Sequence, residues 1–180
     1  MPPFEIRDDR GRLFRFAQAP ERIVSLVPSD TYTLIRLGAG ERLVGRTKYC
    51  VEPASEVSGI PTVGGTKDPD LDAIIALRPD VVILNQEENT KSDVDRLENA
   101  EIRAFVTFPK RVEDGVGLVG RFARLLGETS NRSKELVRFA YRTHLEAEQR
   151  RARRQSHHQS EDRGNPERAP LRRAHQVEGR

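Results

Sequence analysis

Residues 22–31 read Arg22-Ile23-Val24-Ser25-Leu26-Val27-Pro28-Ser29-Asp30-Thr31, and residues 42–46 read Arg42-Leu43-Val44-Gly45-Arg46. The first run has the apolar, β-branched character of a short buried strand. It breaks at Pro28 and is expected to open a helix capped by Ser29 or Asp30, whose side-chain oxygens can accept amide protons of the first turn. The second run reads as the next strand, after a helix that Gly38 closes in the left-handed conformation. Strand, helix and strand within about 25 residues make a βαβ unit. That rhythm carries on to about residue 127.

Upstream, residues 4–7 and 12–16 alternate apolar and polar residues around the turn Asp8-Asp9-Arg10-Gly11, which predicts a hairpin. Downstream, a short strand is expected at 60–63, leading into Gly64-Gly65-Thr66-Lys67-Asp68-Pro69. Asp68 is the expected cap of the next helix and Pro69 its first residue, with Leu71, Ile74, Ile75 and Leu77 on one face. After Pro79, Val81-Val82-Ile83-Leu84 has the unbroken apolar pattern of a parallel strand covered on both sides. Thr90 or Ser92 starts the following helix, which buries Val94, Leu97 and Ala100, and Arg103–Thr107 is the next strand. A helix over 111–126 is expected to bury Val112, Val116, Val119, Ala123 and Leu126. Ser130 caps a last one, with Leu136, Val137 and Ala140 inward and its periodicity gone after Leu145.

The composition divides the chain. Of its 180 residues, 36% are hydrophobic, which is low for a chain folded throughout. Residues 150–180 hold nine arginines and four acids, a net of +5 against +3 for the whole chain, so residues 1–149 carry −2. The basic character belongs to the tail, and a nucleic-acid surface on the folded body is not implied. With Leu171 and Val177 as its large apolar residues, the tail cannot offset the entropy of ordering and is expected to be disordered. The expected organisation is an N-terminal α/β lobe over 1–128, the start of a long helix over 129–149 and a disordered basic tail over 150–180. The fold class is α/β: a single doubly wound lobe with a mostly parallel sheet, an N-terminal hairpin and a long C-terminal helix.

Several chemistries are disfavoured. Cys50 is the single cysteine, and His144, His157, His158 and His175 all fall at or beyond the end of the expected fold. A Cys–His enzyme lacks its base there, and a histidine metal site lacks its ligands. Gly64-Gly65-Thr66-Lys67 lacks the full phosphate-loop spacing, so its glycines serve a tight turn. Glu87-Glu88 reads more simply as solvated than as an acid–base pair. The expectation is no catalytic residue, no bound metal and no cofactor. No apolar run reaches the roughly 20 residues of a membrane span, so no membrane insertion is expected. The N-terminus lacks the basic start and apolar core of a signal peptide, which predicts a cytoplasmic chain as encoded, or a periplasmic or cell-surface one if that terminus is incomplete.

Pro20–Pro53 (PERIVSLVPSDTYTLIRLGAGERLVGRTKYCVEP) and Val63–Leu84 (VGGTKDPDLDAIIALRPDVVIL) together resemble the substrate-binding proteins of cobalamin and iron–siderophore ABC importers, the helical-backbone metal receptor class. The resemblance runs from about Phe4 to about Leu145 and covers the N-terminal lobe only. It implies two doubly wound lobes joined by a long helix, ligand capture between them and docking on a membrane permease. Where the second lobe would begin the sequence turns Arg-rich, for which a frameshift, a truncation or a mispredicted gene end is the expected origin.

In open α/β sheets ligands sit beyond the carboxyl ends of the strands, and the resemblance implies the same loops. Their polar residues are the candidate contacts: Ser29, Lys48, Tyr49, Cys50, Lys67, Glu87 and Glu88. Cobalamin binders of this class are similar in offering aromatic side chains at the loops matching Thr66 and Gln86, where none stands here. That favours a smaller or more charged metal chelate as the small-molecule ligand, with Lys48, Lys67, Glu87 and Glu88 as charge partners. The resemblance also implies that Asp72, near the start of its helix, docks on permease arginines; Asp70 and Asp72 equally suit the helix dipole. Two other readings stand beside this one: a cytoplasmic small-molecule binding or regulatory domain, and a nonfunctional fragment with a basic nucleic-acid-binding tail. Against nucleic acid, the tail interleaves no aromatic residues and dilutes its arginines with acids.

Overall fold

The computed structural model describes residues 2–127 and 131–164, with side chains to residue 154 except residue 132. Contacts divide the chain into two units, Met1–Arg142 and Thr143–Arg180. In the first, β1 (Phe4–Arg7) and β2 (Leu13–Phe16) form the antiparallel hairpin. There follow β3 (Ile23–Ser25), α1 (Pro28–Arg36), β4 (Leu43–Arg46), α2 (Ala54–Val57), α3 (Leu71–Ala76), β5 (Val81–Asn85), α4 (Lys91–Asn99), β6 (Arg103–Thr107) and α5 (Val112–Leu125). β3 to β6 make one sheet in the order β4-β3-β5-β6, every neighbouring pair parallel.

Alternation along the strands builds two cores. Ile23, Val81, Ile83 and Phe105 point to one face, where α1, α5 and the hairpin cover them with Leu34, Ile35, Phe122 and Phe14. Val24, Val82, Leu84, Ala104 and Val106 point to the other, against Leu71 and Ile74 of α3 and Val94 and Leu97 of α4. The doubly wound class, the hairpin and the positions of the four parallel strands agree with the sequence.

The differences are local, and each has a cause. Pro28 is the first helical residue of α1 and Val27 its cap position, with no side-chain cap; proline needs no amide partner there. Ser29 and Asp30 therefore lie inside the first turn and cap nothing. Residues 60–63 contribute only an isolated bridge between Arg46 and Thr62, so the expected strand does not form. The cap of α3 is Asp70, which accepts from Ala73 N at 2.9 Å, and not Asp68. Asp68 is taken up in the preceding turn, where its carbonyl accepts from Gly65 N at 3.1 Å. Gly64 has φ +85° in that turn, and a Cβ on it would come within 2.6 Å of Asp68 O.

α5 turns only part-way from the face expected for it: Ala123 and Leu126 are buried and Val119 packs on the core as expected, but Leu118, Phe122 and Leu125 join them. Val112 is 72% exposed. Phe122 packs near Phe105 (centroids 6.4 Å), which also meets Phe14 (5.7 Å), so an aromatic cluster decides the rotation. The expected Ser130 cap lies outside the described residues.

α6 (Asn131–Gly164) packs Leu136 and Val137 against the first core. It extends past Leu145, where apolar periodicity predicts its end, and into the stretch expected to be disordered. Residues 146–155, Glu-Ala-Glu-Gln-Arg-Arg-Ala-Arg-Arg-Gln, are all strong helix formers, a signal that apolar periodicity does not register. Glu146 and Arg150 add a surface pair at i,i+4 (3.9 Å). The rest of the expected disordered tail, 165–180, lies outside the described residues.

Candidate functional site

All four parallel strands deliver their carboxyl ends to one rim. β3 has β4 on one side and β5 on the other, so the strand order reverses between β3 and β5, the place where open α/β sheets hold ligands. The rim loops are joined by hydrogen bonds. Lys48 N donates to Gly64 O (3.0 Å), and Asn89 Nδ2 donates to Thr66 O (2.7 Å). Gln86 N donates to Thr107 O (3.0 Å), and the Thr107 hydroxyl donates to Asp30 Oδ2 (3.0 Å). Each loop after a strand is thus tied to another, and the rim is held as one piece.

Beneath the loop after β4 the buried polar groups are neutral. Thr31 Oγ1 lies 2.8 Å from Ser25 Oγ, 2.9 Å from Val27 O and 3.1 Å from Cys50 Sγ, and Thr47 Oγ1 is also 3.1 Å from Cys50 Sγ. Ser25, Thr31, Thr47 and Cys50 are fully buried. Among the described residues the thiol's hydrogen-bond partners are the Thr31 and Thr47 hydroxyls and the Ser25 carbonyl, an arrangement that fixes the loop.

Beneath the loop after β6 the buried groups are charged. Asp8 accepts from Arg10 N and Arg12 N (3.0 Å each), from Val106 N (3.3 Å) and from Arg10 Nε (2.8 Å). Asp9 pairs with both terminal nitrogens of Arg121 (2.6 and 3.0 Å) and accepts from Phe108 N (2.6 Å). Asp30 is 5% exposed. Burial raises its pKa to about 6, opposed by the hydrogen bonds from Thr107 and Ser29, with Asp9 adding to the rise and Arg121 opposing it.

The candidate contacts fall into two groups. Ser29, Lys48, Tyr49, Lys67 and Glu87 are exposed on the rim loops and Glu88 is half-exposed. Lys48 Nζ lies 5.3 Å over the Tyr49 ring and 4.0 Å from Asp68, leaving both side chains at the loop surface. Cys50 is buried beneath that same loop. Asp72 is apart from the rim loops on α3, highly exposed and 2.5 Å from Arg96 of α4. Sequence reasoning missed the layer under the rim: Thr31, Thr47, Thr66, Asn89 and Thr107 are all buried polar residues. Thr47 and Thr107 stand at strand ends, directly after Arg46 and Val106, where nothing in the sequence separates a buried hydroxyl from an exposed one. Among the described residues no cluster of three or more His, Cys, Asp or Glu could hold a metal ion, and no helix is long and apolar enough to cross a membrane.

The periplasmic binding protein family profile matches residues 23–157, three quarters of the chain. The chain belongs to that family. Its members are binding components of transport and not enzymes. Vitamin B12-binding proteins of Yersinia pestis and Yersinia pseudotuberculosis are 30% identical over 97 residues, 54% of this chain and 34% of theirs. The match therefore spans about a third of those relatives' length. A periplasmic heme-binding protein from Pseudomonas aeruginosa is 25% identical with a TM-score of 0.63, over 71% of this chain and 45% of that one. An iron uptake ABC transporter substrate-binding protein from Streptococcus pneumoniae is 25% identical with a TM-score of 0.60, over 74% and 48%. The periplasmic vitamin B12 binding protein of Vibrio cholerae shares the fold, with a TM-score of 0.67 at 17% identity over 74% and 52%. The periplasmic binding protein lobe seen here thus corresponds to about half of each of these structures.

Proposed function

We propose that this periplasmic binding protein lobe is one wall of the ligand cleft of an ABC importer's substrate-binding component, with a metal chelate as the ligand. The observation that carries the reading is the rim, where the loops after four parallel strands are hydrogen-bonded together and present exposed polar side chains at the switch point. The vitamin B12, heme and iron uptake proteins among its relatives and structural neighbours support a chelate as the ligand class. Ser29, Lys48, Tyr49, Lys67, Glu87 and Glu88 would contact it, and Cys50 would serve from below by holding the Lys48–Tyr49 loop. Tyr49, 55% exposed, is the aromatic platform of the candidate set, and two lysines and two glutamates supply charge. That composition favours a compact, charged ferric chelate over cobalamin. Asp72 would dock on permease arginines once released from Arg96, and the work would be done outside the cytoplasmic membrane.

Titration of the chain with ferric citrate, hemin and cyanocobalamin, followed by calorimetry, tests this. Ferric citrate is expected to bind best, with a Kd weaker than about 1 μM because a single wall makes fewer contacts, and to lose affinity in the Lys48→Ala, Lys67→Ala double variant. Tighter binding of cyanocobalamin, or indifference to the double substitution, contradicts the reading.

A further inference from the structure

A cavity of about 350 Å³ lies toward the β6 edge of the sheet, where the hairpin turn, the end of β6, the loop after β5 and the start of α4 meet. Val94 and Val106 give it an apolar floor, and Arg10, Gln86, Lys91 and Asp95 give it polar walls. None of Ser29, Lys48, Tyr49, Lys67, Glu87 or Glu88 lines it. Lys91 and Asp95 stand one turn apart on α4, the spacing at which opposite charges commonly pair on a helix surface. Among the described residues, however, neither makes an ion pair or side-chain hydrogen bond, and nor does the Gln86 side-chain amide. Arg10 is held in place: Nε donates to Asp8 (2.8 Å) and Nη2 to Ala104 O (2.8 Å). Its Nη1 has no partner among the described residues.

We infer that this cavity is a second ligand site that takes a small zwitterion of amino-acid size. A carboxylate on the ligand accepts from Lys91 Nζ, the Gln86 amide and Arg10 Nη1, while an ammonium group donates to Asp95. Donors outnumber the single carboxylate in the walls, so the negative end of the ligand is the better held. The volume sits at the low end of small-molecule pockets, about 300–1,000 Å³, which limits the ligand's size. The cavity borders the rim through the loop after β5 (Asn85, Gln86 and Asn89), but the side chains that would hold the zwitterion are not among the proposed chelate contacts, so the inference does not rest on the chelate reading.

Calorimetry of the full chain with L-glutamine as the probe, beside L-glutaminamide and N-acetyl-L-glutamine, tests it. L-glutamine is expected to bind saturably, and blocking either charged end to weaken binding about tenfold. Lys91→Ala should cost about tenfold for L-glutamine and nothing further for L-glutaminamide. Asp95→Asn should do the same for L-glutamine and nothing further for N-acetyl-L-glutamine. Lys48→Ala, on the chelate rim, should leave all three unchanged. Lys91 and Asp95 are exposed, so an unchanged thermal midpoint shows that the variants fold. Absence of saturable L-glutamine binding at millimolar concentration, or binding that survives both substitutions, overturns the site and leaves the chelate reading standing.

Discussion

At one end of the rim, under the loop after β4, the buried polar groups are the neutral Ser25, Thr31, Thr47 and Cys50. At the other end, under the loop after β6, Asp8 and Asp30 are buried beside the Asp9–Arg121 pair. Both arrangements hold a loop against the end of a strand, but they respond differently to perturbation. A neutral network loses a hydrogen bond or two when a member is removed. A charged one leaves an uncompensated ion behind and couples the loop to pH.

The largest effect is expected at Asp8. Its carboxylate has no exposure and takes three backbone amides and the Arg10 guanidinium. Asp8→Ala should lower the unfolding free energy by about 3–5 kcal/mol in urea denaturation, since amides and a cation lose their acceptor together. A loss below that of any neutral-end variant would erase the contrast between the two ends.

Asp30 gives the contrast its pH signature. The folded protein keeps this proton to about pH 6, whereas the unfolded chain releases it near 3.8. The stabilisation from this group is complete below pH 4, falls as pH rises from about 4 to 6, and stays lost above that. Asp30→Asn should flatten that part of the stability profile and gain about 2 kcal/mol at pH 7.5 relative to the parent chain. A parent profile that rises between pH 4 and 6 while the variant's stays flat would show that the carboxylate is instead stabilised in the folded state.

The neutral end should yield less. Thr31→Val keeps the shape and removes the hydroxyl shared by Ser25, Val27 and Cys50, which should cost about 1–2 kcal/mol with little dependence on pH. Smallest of all is the exposed Asp72–Arg96 pair, where Arg96→Ala should change stability by less than about 0.5 kcal/mol. This last variant sets the scale of a surface ion pair against which both rim ends can be read in the same denaturation series.

How much of this was legible in the sequence follows from what each feature depends on. The strands at 23–25, 43–46, 81–85 and 103–107 were readable because apolar runs bounded by Pro, Gly and Asp report burial directly. The helix starts were less so. Pro28 could either precede α1 or open it, and Asp68 and Asp70 both have the chemistry of a cap. Only the Gly64–Asp68 turn decides between the two aspartates. The rotation of α5 follows Phe122, which meets Phe105 and, through it, Phe14 of the distant hairpin only in the fold. The exposed rim residues could be read from loop positions, but the buried hydroxyls beneath them could not. A threonine after a strand looks the same whether it faces water or a thiol.

The central claim is that the loops beyond the strand carboxyl ends form the binding surface. Its most direct test is NMR mapping of the isotopically labelled chain titrated with a diamagnetic gallium(III) citrate chelate. The expected result is amide shift changes concentrated in residues 27–31, 47–52, 64–68, 86–89 and 108–111. Changes confined to the opposite ends of the strands, around residues 19–22, 78–80 and 101–103, would contradict it.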